Sequence, residues 1–223
     1  MEYKKICEIT SVVTGGTPST SIKEYWEEGT IPWLQSGCCQ NCDVYEADKL
    51  ITQRGYDNSS TKLMPKDTVM IALTGATAGK VGYLNFEACG NQSITGILPC
   101  DVLNQRFLFY YLISKRTQIL SDCVGGAQAH ISQGYVKNIE VPLYSLEEQA
   151  RIVELMDKVM SFIENGKEQL ELLDELIKSR FVEMFGDPVS NSKGLKELTL
   201  PELGELGRGV SKHRPRNAPE LLG

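Results

Sequence analysis

The feature that most constrains this chain is an apolar repeat that runs, without a proline, across residues 145–185. Ile152, Met156, Val159, Ile163, Gly166, Leu170, Leu173, Ile177 and, beyond Arg180, Met184 step alternately by fours and threes. Those are the a and d positions of a heptad seam, and a period of 3.5 asks for another helix alongside. Ser145 followed three residues later by Glu148 is the signature of a capping box. Gly186-Asp187-Pro188 is the matching stop signal. A helix of this length extends about 60 Å at 1.5 Å per residue, and it needs a partner for its stripe. An ordinary amphipathic helix packed on its own domain is the alternative. The favoured reading is a spacer helix that pairs through Ile152, Met156, Val159, Ile163, Leu170, Leu173, Ile177 and Met184.

At 223 residues and 41% hydrophobic the chain has room for one sizeable domain plus an appendage. No apolar run is long enough to span a membrane, and Met1-Glu2-Tyr3-Lys4-Lys5 leads into no signal-like stretch, so a cytoplasmic location is expected. Seven scattered cysteines, an odd number, point to free thiols rather than a disulfide framework. The net charge of −6 divides into −2 for residues 1–144, −5 for 145–185 and +1 for 186–223. The acidity therefore sits mostly on the solvated faces of the long helix. A near-neutral first domain neither supports nor excludes nucleic acid, because binding needs a local basic surface rather than a basic total.

Residues 3–13 carry a short helical stripe (Ile6, Ile9, Val12/Val13), broken by the turn Gly15-Gly16-Thr17-Pro18-Ser19-Thr20. Residues 31–35 read as a strand and 37–48 as a polar loop holding three cysteines. Residues 50–60 read as a short helix and turn. Thr68-Val69-Met70-Ile71-Ala72-Leu73 is the clearest strand, apolar enough to be buried on both faces. Residues 81–84 and 93–98 read as two more strands, 106–120 as an amphipathic helix, 123–133 as a glycine-containing loop and 136–142 as a last strand. Strands mixed with helices without a βαβ rhythm predict an α+β fold.

Thr74-Gly75-Ala76-Thr77-Ala78-Gly79-Lys80 follows a buried strand, but only three residues separate its glycines and Val81 follows the lysine. A Walker loop needs four residues there and a Ser or Thr after the lysine, so nucleotide hydrolysis is not expected. The loop can still offer backbone N–H groups and Lys80 to a phosphate, including one on DNA; a tight turn with a surface lysine is the bland alternative. The C-x-x-C of Cys39 and Cys42 lacks the further paired ligands of a structural zinc site, so no metal is expected. His130 and His213 have no neighbouring nucleophile and acid, and no catalytic centre is evident. Side chains suited to base edges occur at Thr17, Ser19, Thr20, Gln35 and Ser36 near the first turn, at Thr77 and Lys80, and at Gln128, His130 and Ser132. Ordinary polar loops have the same composition.

Beyond the helix, Leu200, Leu203, Leu206 and Gly209 repeat the spacing of Ile6, Ile9, Val12 and Gly15 at an offset of 194. The chain reads as though it begins the same domain again and is then cut short.

The succession Gly15-Gly16-Thr17-Pro18-Ser19-Thr20, Tyr25-Trp26, Gly29, Ile31-Pro32-Trp33-Leu34, Gly75-Ala76-Thr77-Ala78-Gly79-Lys80, Asn91-Gln92, Pro142 and Glu148-Gln149 resembles the specificity subunit of type I restriction-modification systems. Cys38 departs from the pattern, standing where family members often have aspartate after Ser-Gly. The resemblance implies a target-recognition domain with a mixed, twisted sheet (1–144), a coiled-coil spacer helix (145–186), and a linker with the start of a truncated second recognition domain (187–223). It also implies that the chain is not an enzyme and reads half of a bipartite double-stranded DNA site. Its helix would support methyltransferase subunits that carry S-adenosylmethionine and methylate adenine N6, and a restriction subunit can join. A half-length chain could pair through its helix as a homodimer and read a palindromic bipartite site. The competing classes are the recognition part of a fused restriction-methylation enzyme, which Met1 directly before the domain argues against, a silent truncated allele, and a structural coiled-coil adaptor. In the DNA-reading class, Lys80 governs affinity for all sequences alike, whereas Gln128 and His130 govern which sequence wins.

Overall fold

Val69, Met70, Ile71 and Ala72 are all fully buried, so the strand they form must be covered on both faces. The computed structural model, which describes residues 2–122, 130–205 and 207, shows how. The chain begins with β1 (Glu2–Lys5), α1 (Ile6–Ile9), β2 (Val12–Thr14), β3 (Ile31–Leu34), β4 (Cys42–Val44), β5 (Lys49–Ile51), α2 (Gln53–Asp57) and β6 (Leu63–Met64). It continues through β7 (Val69–Ala72), β8 (Val81–Leu84), β9 (Ala88–Gly90), β10 (Ile94–Ile97), α3 (Gln105–Asp122), α4 (Gln133–Asn138), β11 (Glu140–Leu143), α5 (Leu146–Phe185) and α6 (Leu200–Leu203). The five-stranded sheet has the order β2-β10-β7-β8-β4, the four-stranded sheet β5-β3-β9-β6, and β1 pairs with β11. Parallel pairs (β3 with β9, β4 with β8) stand among antiparallel ones, so the sheets are mixed and the fold is α+β.

Alternation along β7 separates the two cores. Val69 and Ile71 join Phe107, Leu108 and Leu112 of α3 in one cluster. Met70 and Ala72 join Leu34, Met64 and Leu84 in the other, towards the four-stranded sheet. Two backbones approach closely where β2 ends. A Cβ on Gly15 would lie 2.2 Å from the carbonyl oxygens of Gly90 and Asn91, and one on Gly16 would lie 2.6 Å from the Thr61 nitrogen. Gly16 N–H donates to Gly90 O at 2.8 Å, and the Trp33 indole donates to Gly16 O at 2.9 Å.

The structure corrects several sequence expectations. Residues 3–13 are not one helical stripe: Tyr3-Lys4-Lys5 pair with β11, Lys4 opposite Val141, a partner far away in sequence that local periodicity cannot see. The polar loop 37–48 contains β4, and Cys39 is fully buried in the second core. Residues 136–138, expected to open the last strand, belong instead to the helix Gln133–Asn138, with the Ser132 hydroxyl accepting from Tyr135 N–H. The short strands β5, β6 and β9 lacked any readable signal.

The chain divides into two compact units, Met1–Phe162 and Ile163–Gly223, and α5 passes through both. Ser145 Oγ accepts from Glu148 N–H at 3.2 Å, starting the helix where the capping signal stood. In the first unit Ile152, Val153, Met156 and Met160 pack against the domain core. Ile152 and Met156 are therefore partly covered by their own domain. Gln149 is fully buried; it accepts from Asn104 N–H at 2.7 Å and donates to Tyr144 O at 2.9 Å. Arg106 makes a two-pronged bond to Asp43 at 2.8 and 2.9 Å, with Tyr83, Phe109 and Tyr110 around its guanidinium. Burial opposes the Asp43 charge, but the Arg106 hydrogen bonds, the Asn85 amide and the Arg106 charge outweigh it and hold the carboxyl below its ordinary range.

In the second unit Leu170, Leu173, Ile177 and Met184 are 65%, 53%, 67% and 65% exposed, an unpartnered stripe. Gly186, at φ 82°, ends the helix. The internal repeat extends to local structure: α6 and α1 are four-residue helices at the matched positions. In each, the glutamate at the third position accepts from the backbone N–H of the residue before the helix: Glu8 from Lys5 at 3.0 Å and Glu202 from Thr199 at 2.6 Å. Leu206 and Gly209, the remaining repeat positions, lie outside the described residues.

Two outcomes follow. Gly15→Ala forces two backbones apart and is expected to cost about 1–3 kcal/mol, read as a lower denaturant midpoint; an unchanged midpoint would show that the crossing yields freely. Burial first, with Asp67 beside it, pushes the Tyr83 phenol up to about 12, and burial followed by the Asp157 bond does the same for Tyr110. Folding favours the neutral phenols, so their contribution is complete below about pH 10 and is lost as pH rises through about 12. Thermal midpoints measured across that window should fall less steeply in a Tyr83→Phe/Tyr110→Phe variant than in the parent, and equal slopes would refute the assignment.

Candidate nucleic-acid interface

Strand register brings the candidate loops to one edge. Thr14 opposite Thr95, and Ala72 opposite Ile94, place the exit of β2, the entry of β10 and the exit of β7 side by side. Ile71 opposite Val81, and Cys42 opposite Gly82, add the entries of β8 and β4. Leu34 opposite Gly90 sets the exit of β3 beside that of β9. The loops 15–20, 35–41, 74–80 and 91–93 thus share one end of the sheets, and an isolated bridge joins Thr74 to His130 there.

Side-chain contacts stitch this edge together. Thr17 Oγ1 donates to Gln92 Oε1 at 2.5 Å, and Thr74 Oγ1 to Ser93 Oγ at 3.0 Å. Lys80 Nζ donates to Gln40 Oε1 at 2.6 Å. The Ser19 and Ser21 hydroxyls share a 2.8 Å bond, and Gln35 N–H donates to Asp48. Thr17, Ser19, Thr20, Gln35 and His130 are exposed, while Ser36, Thr77 and Lys80 are half-buried. Ser132 is committed to capping α4, and Gln128 lies outside the described residues. In the four loops and residues 130–132, Lys80 is the only permanently charged side chain; the other polar side chains at the surface are amides, hydroxyls, one imidazole and the Cys38 thiol.

The turn over residues 74–80 engages part of its backbone donors. Gly75 and Gly79 have φ of 78° and 72°, and three N–H groups are bonded internally or to β7. Ala78 N–H bonds to Gly75 O, Gly79 N–H to Ala72 O and Lys80 N–H to Thr77 O. Arg116 of α3 props the turn from behind, donating to Ala78 O at 3.3 Å. Lys80 alone of that loop keeps a charge for a phosphate. Sequence reasoning passed over Gln40, Thr74 and Gln92 as readers. Gln40 sat in a cysteine loop and Gln92 in the motif of a resemblance, and only the register shows that they flank Lys80 and Thr17.

Cys7, Cys38, Cys39, Cys42, Cys89 and Cys100 are free thiols. Among the described residues no group of His, Cys, Asp or Glu is placed to hold a metal ion, and no helix is long and apolar enough to cross a membrane.

A family model described as the type I restriction modification DNA specificity domain matches residues 1–174. The MjaIX specificity subunit of Methanocaldococcus jannaschii is 31% identical, over 98% of this chain and 54% of its own length. The EcoR124I/EcoR124II specificity subunit of Escherichia coli is 29% identical, over 71% of this chain and 40% of its own length. The chain thus spans about half the length of the curated relatives it matches. The crystal structure of the HsdS subunit from Thermoanaerobacter tengcongensis shares the fold, with a TM-score of 0.57 at 19% identity over 75% of this chain and 39% of that one. A domain match over most of the chain, a relative aligned along nearly all of it and a common fold lead to one conclusion: this chain belongs to the type I restriction-modification DNA specificity family.

Proposed function

We propose that this chain is the non-catalytic DNA-recognition component of a type I restriction-modification complex, reading one half-site through the edge where its strand ends converge. The observation that carries the reading is the concentration of amide and hydroxyl side chains on that edge, with a single permanent charge among them. Such groups discriminate base edges in a groove, glutamine suiting adenine in particular, while Lys80 suits a phosphate. S-adenosylmethionine and adenine methylation belong, on this reading, to partner methyltransferase subunits that dock on the spacer helix, with a restriction subunit joining them. The exposed stripe of α5 beyond residue 162 supports pairing with a second helix. On this proposal that helix comes from a second copy of this chain, and the two recognition domains then read a palindromic bipartite site.

The deciding experiment compares adenine methylation genome-wide in cells that express this chain with its neighbouring methyltransferase and in cells without it. A bipartite motif that vanishes with the chain is expected; an unchanged methylome would sink the proposal. On purified duplexes, Lys80→Met should weaken all sequences alike and lower the salt slope by about one unit. Gln92→Ala or Gln35→Ala should shift the preferred base, by about 1–3 kcal/mol for each bidentate hydrogen-bond pair removed. Binding without sequence preference in the parent would instead mark a structural adaptor. For the pairing, light scattering should give about twice the 24.8 kDa of one chain. A Leu173→Asp/Ile177→Asp variant should fall to one chain. A monomeric parent, both alone and with the methyltransferase, excludes the homodimer.

A further inference from the structure

The base of α5 is held to the first unit by apolar packing and by two polar anchors. Apolar packing is non-directional and leaves a helix free to roll or tilt by small amounts. The polar anchors are directional. The first is Gln149, buried in the opening turns and bonded to the backbone of Asn104, Val102 and Tyr144. The second is Asp157, eight residues on, whose carboxylate accepts the Tyr110 hydroxyl at 2.5 Å and lies 3.9 Å from Arg106 Nε. The same guanidinium is fixed by the two-pronged bond to Asp43, both side chains being about three-quarters covered (27% and 24% exposed). The Tyr83, Phe109 and Tyr110 rings lie 4.6, 5.1 and 5.8 Å from it. One guanidinium thus ties β4, the first turn of α3 and the fourth turn of α5.

We infer that the Arg106 cluster is the latch that sets the direction in which α5 leaves the recognition domain. On the reading given above, Arg106, Tyr110 and Asp157 are then positioning residues for the spacing between half-sites. Two anchors about 12 Å apart along a helix define its axis, whereas one leaves a pivot. The lever is long: a tilt of about 5° at the base of a helix of about 60 Å moves its far end by about 5 Å. One base pair rises by about 3.4 Å. An error of a few degrees therefore costs a base pair of register, which apolar packing alone does not prevent.

The test uses the full chain. Amide hydrogen exchange is read on the purified protein, and methylated sites are mapped in cells that also carry the methyltransferase. Arg106→Leu and Asp157→Ala are expected to speed exchange across residues 151–162 by ten-fold or more while β7 stays as protected as in the parent. They should also raise methylation of the same half-sites, at spacings one base pair longer or shorter, by ten-fold or more. Tyr110→Phe removes a single hydroxyl and no charge, and it carries the test in smaller measure if either bolder variant loses protection in the sheet. Unchanged exchange at the helix base overturns the inference. So does faster exchange with spacing as strict as in the parent, or loss of all methylation by a variant whose sheet stays protected. Absence of any motif with the parent chain would fail the proposed function instead, and exchange would still decide whether the latch holds the helix.

Discussion

A strand with no solvent-facing side has to be roofed twice, and β7 imposes that requirement on everything around it. Val69 and Ile71 call for α3 on one side, and Met70 and Ala72 call for the second sheet on the other. With both faces covered and both edges paired, the chain can enter and leave this layer only at strand ends. The loops that carry the candidate readers are therefore gathered at one end by a packing constraint, before any demand of recognition applies. The helical side of the same core also receives the base of α5, so the loop edge and the start of the long helix belong to one compact unit as far as Phe162.

What the sequence made legible was whatever depends on neighbours in the chain. The apolar run 69–72, the capping serine and the heptad repeat each announce themselves within a few residues, and each element stands where its signal stood. What stayed hidden depends on partners far away. Tyr3-Lys4-Lys5 become a strand only because β11 arrives beside them, and Cys39 is core only because the second sheet closes over it. The candidate readers show the same division. Their residue types were visible, whereas the convergence of four loops and residues 130–132 needed the register. Gln40 and Gln92 were polar residues like any others until it placed them.

The family motif takes on a physical meaning in the structure. Gly15, Gly16, Trp33 and Gly90 form a crossing in which two backbones touch and an indole donates to the carbonyl between them. These residues build the floor beneath the edge and leave its outward chemistry to Thr17, Gln35 and Gln92. A resemblance resting on such positions identifies a scaffold and says little of the bases read above it. The seam of α5 is divided in a comparable way. Its first turns are spent on the domain, and only the later ones keep an open apolar stripe.

The turn between β7 and β8 has a consequence for how such a surface can change over time. Its Ala78, Gly79 and Lys80 N–H groups bond to carbonyls of the turn or of β7, and Arg116 props it from the helical layer at Ala78 O. Side chains at Ala76 and Thr77 therefore contribute little to holding the turn in shape. Residues that carry no structural duty can be exchanged without unfolding the domain. The edge is in that sense a mutationally tolerant surface on an intolerant frame, able to drift towards a new target while β7 and the glycine crossing stay as they are.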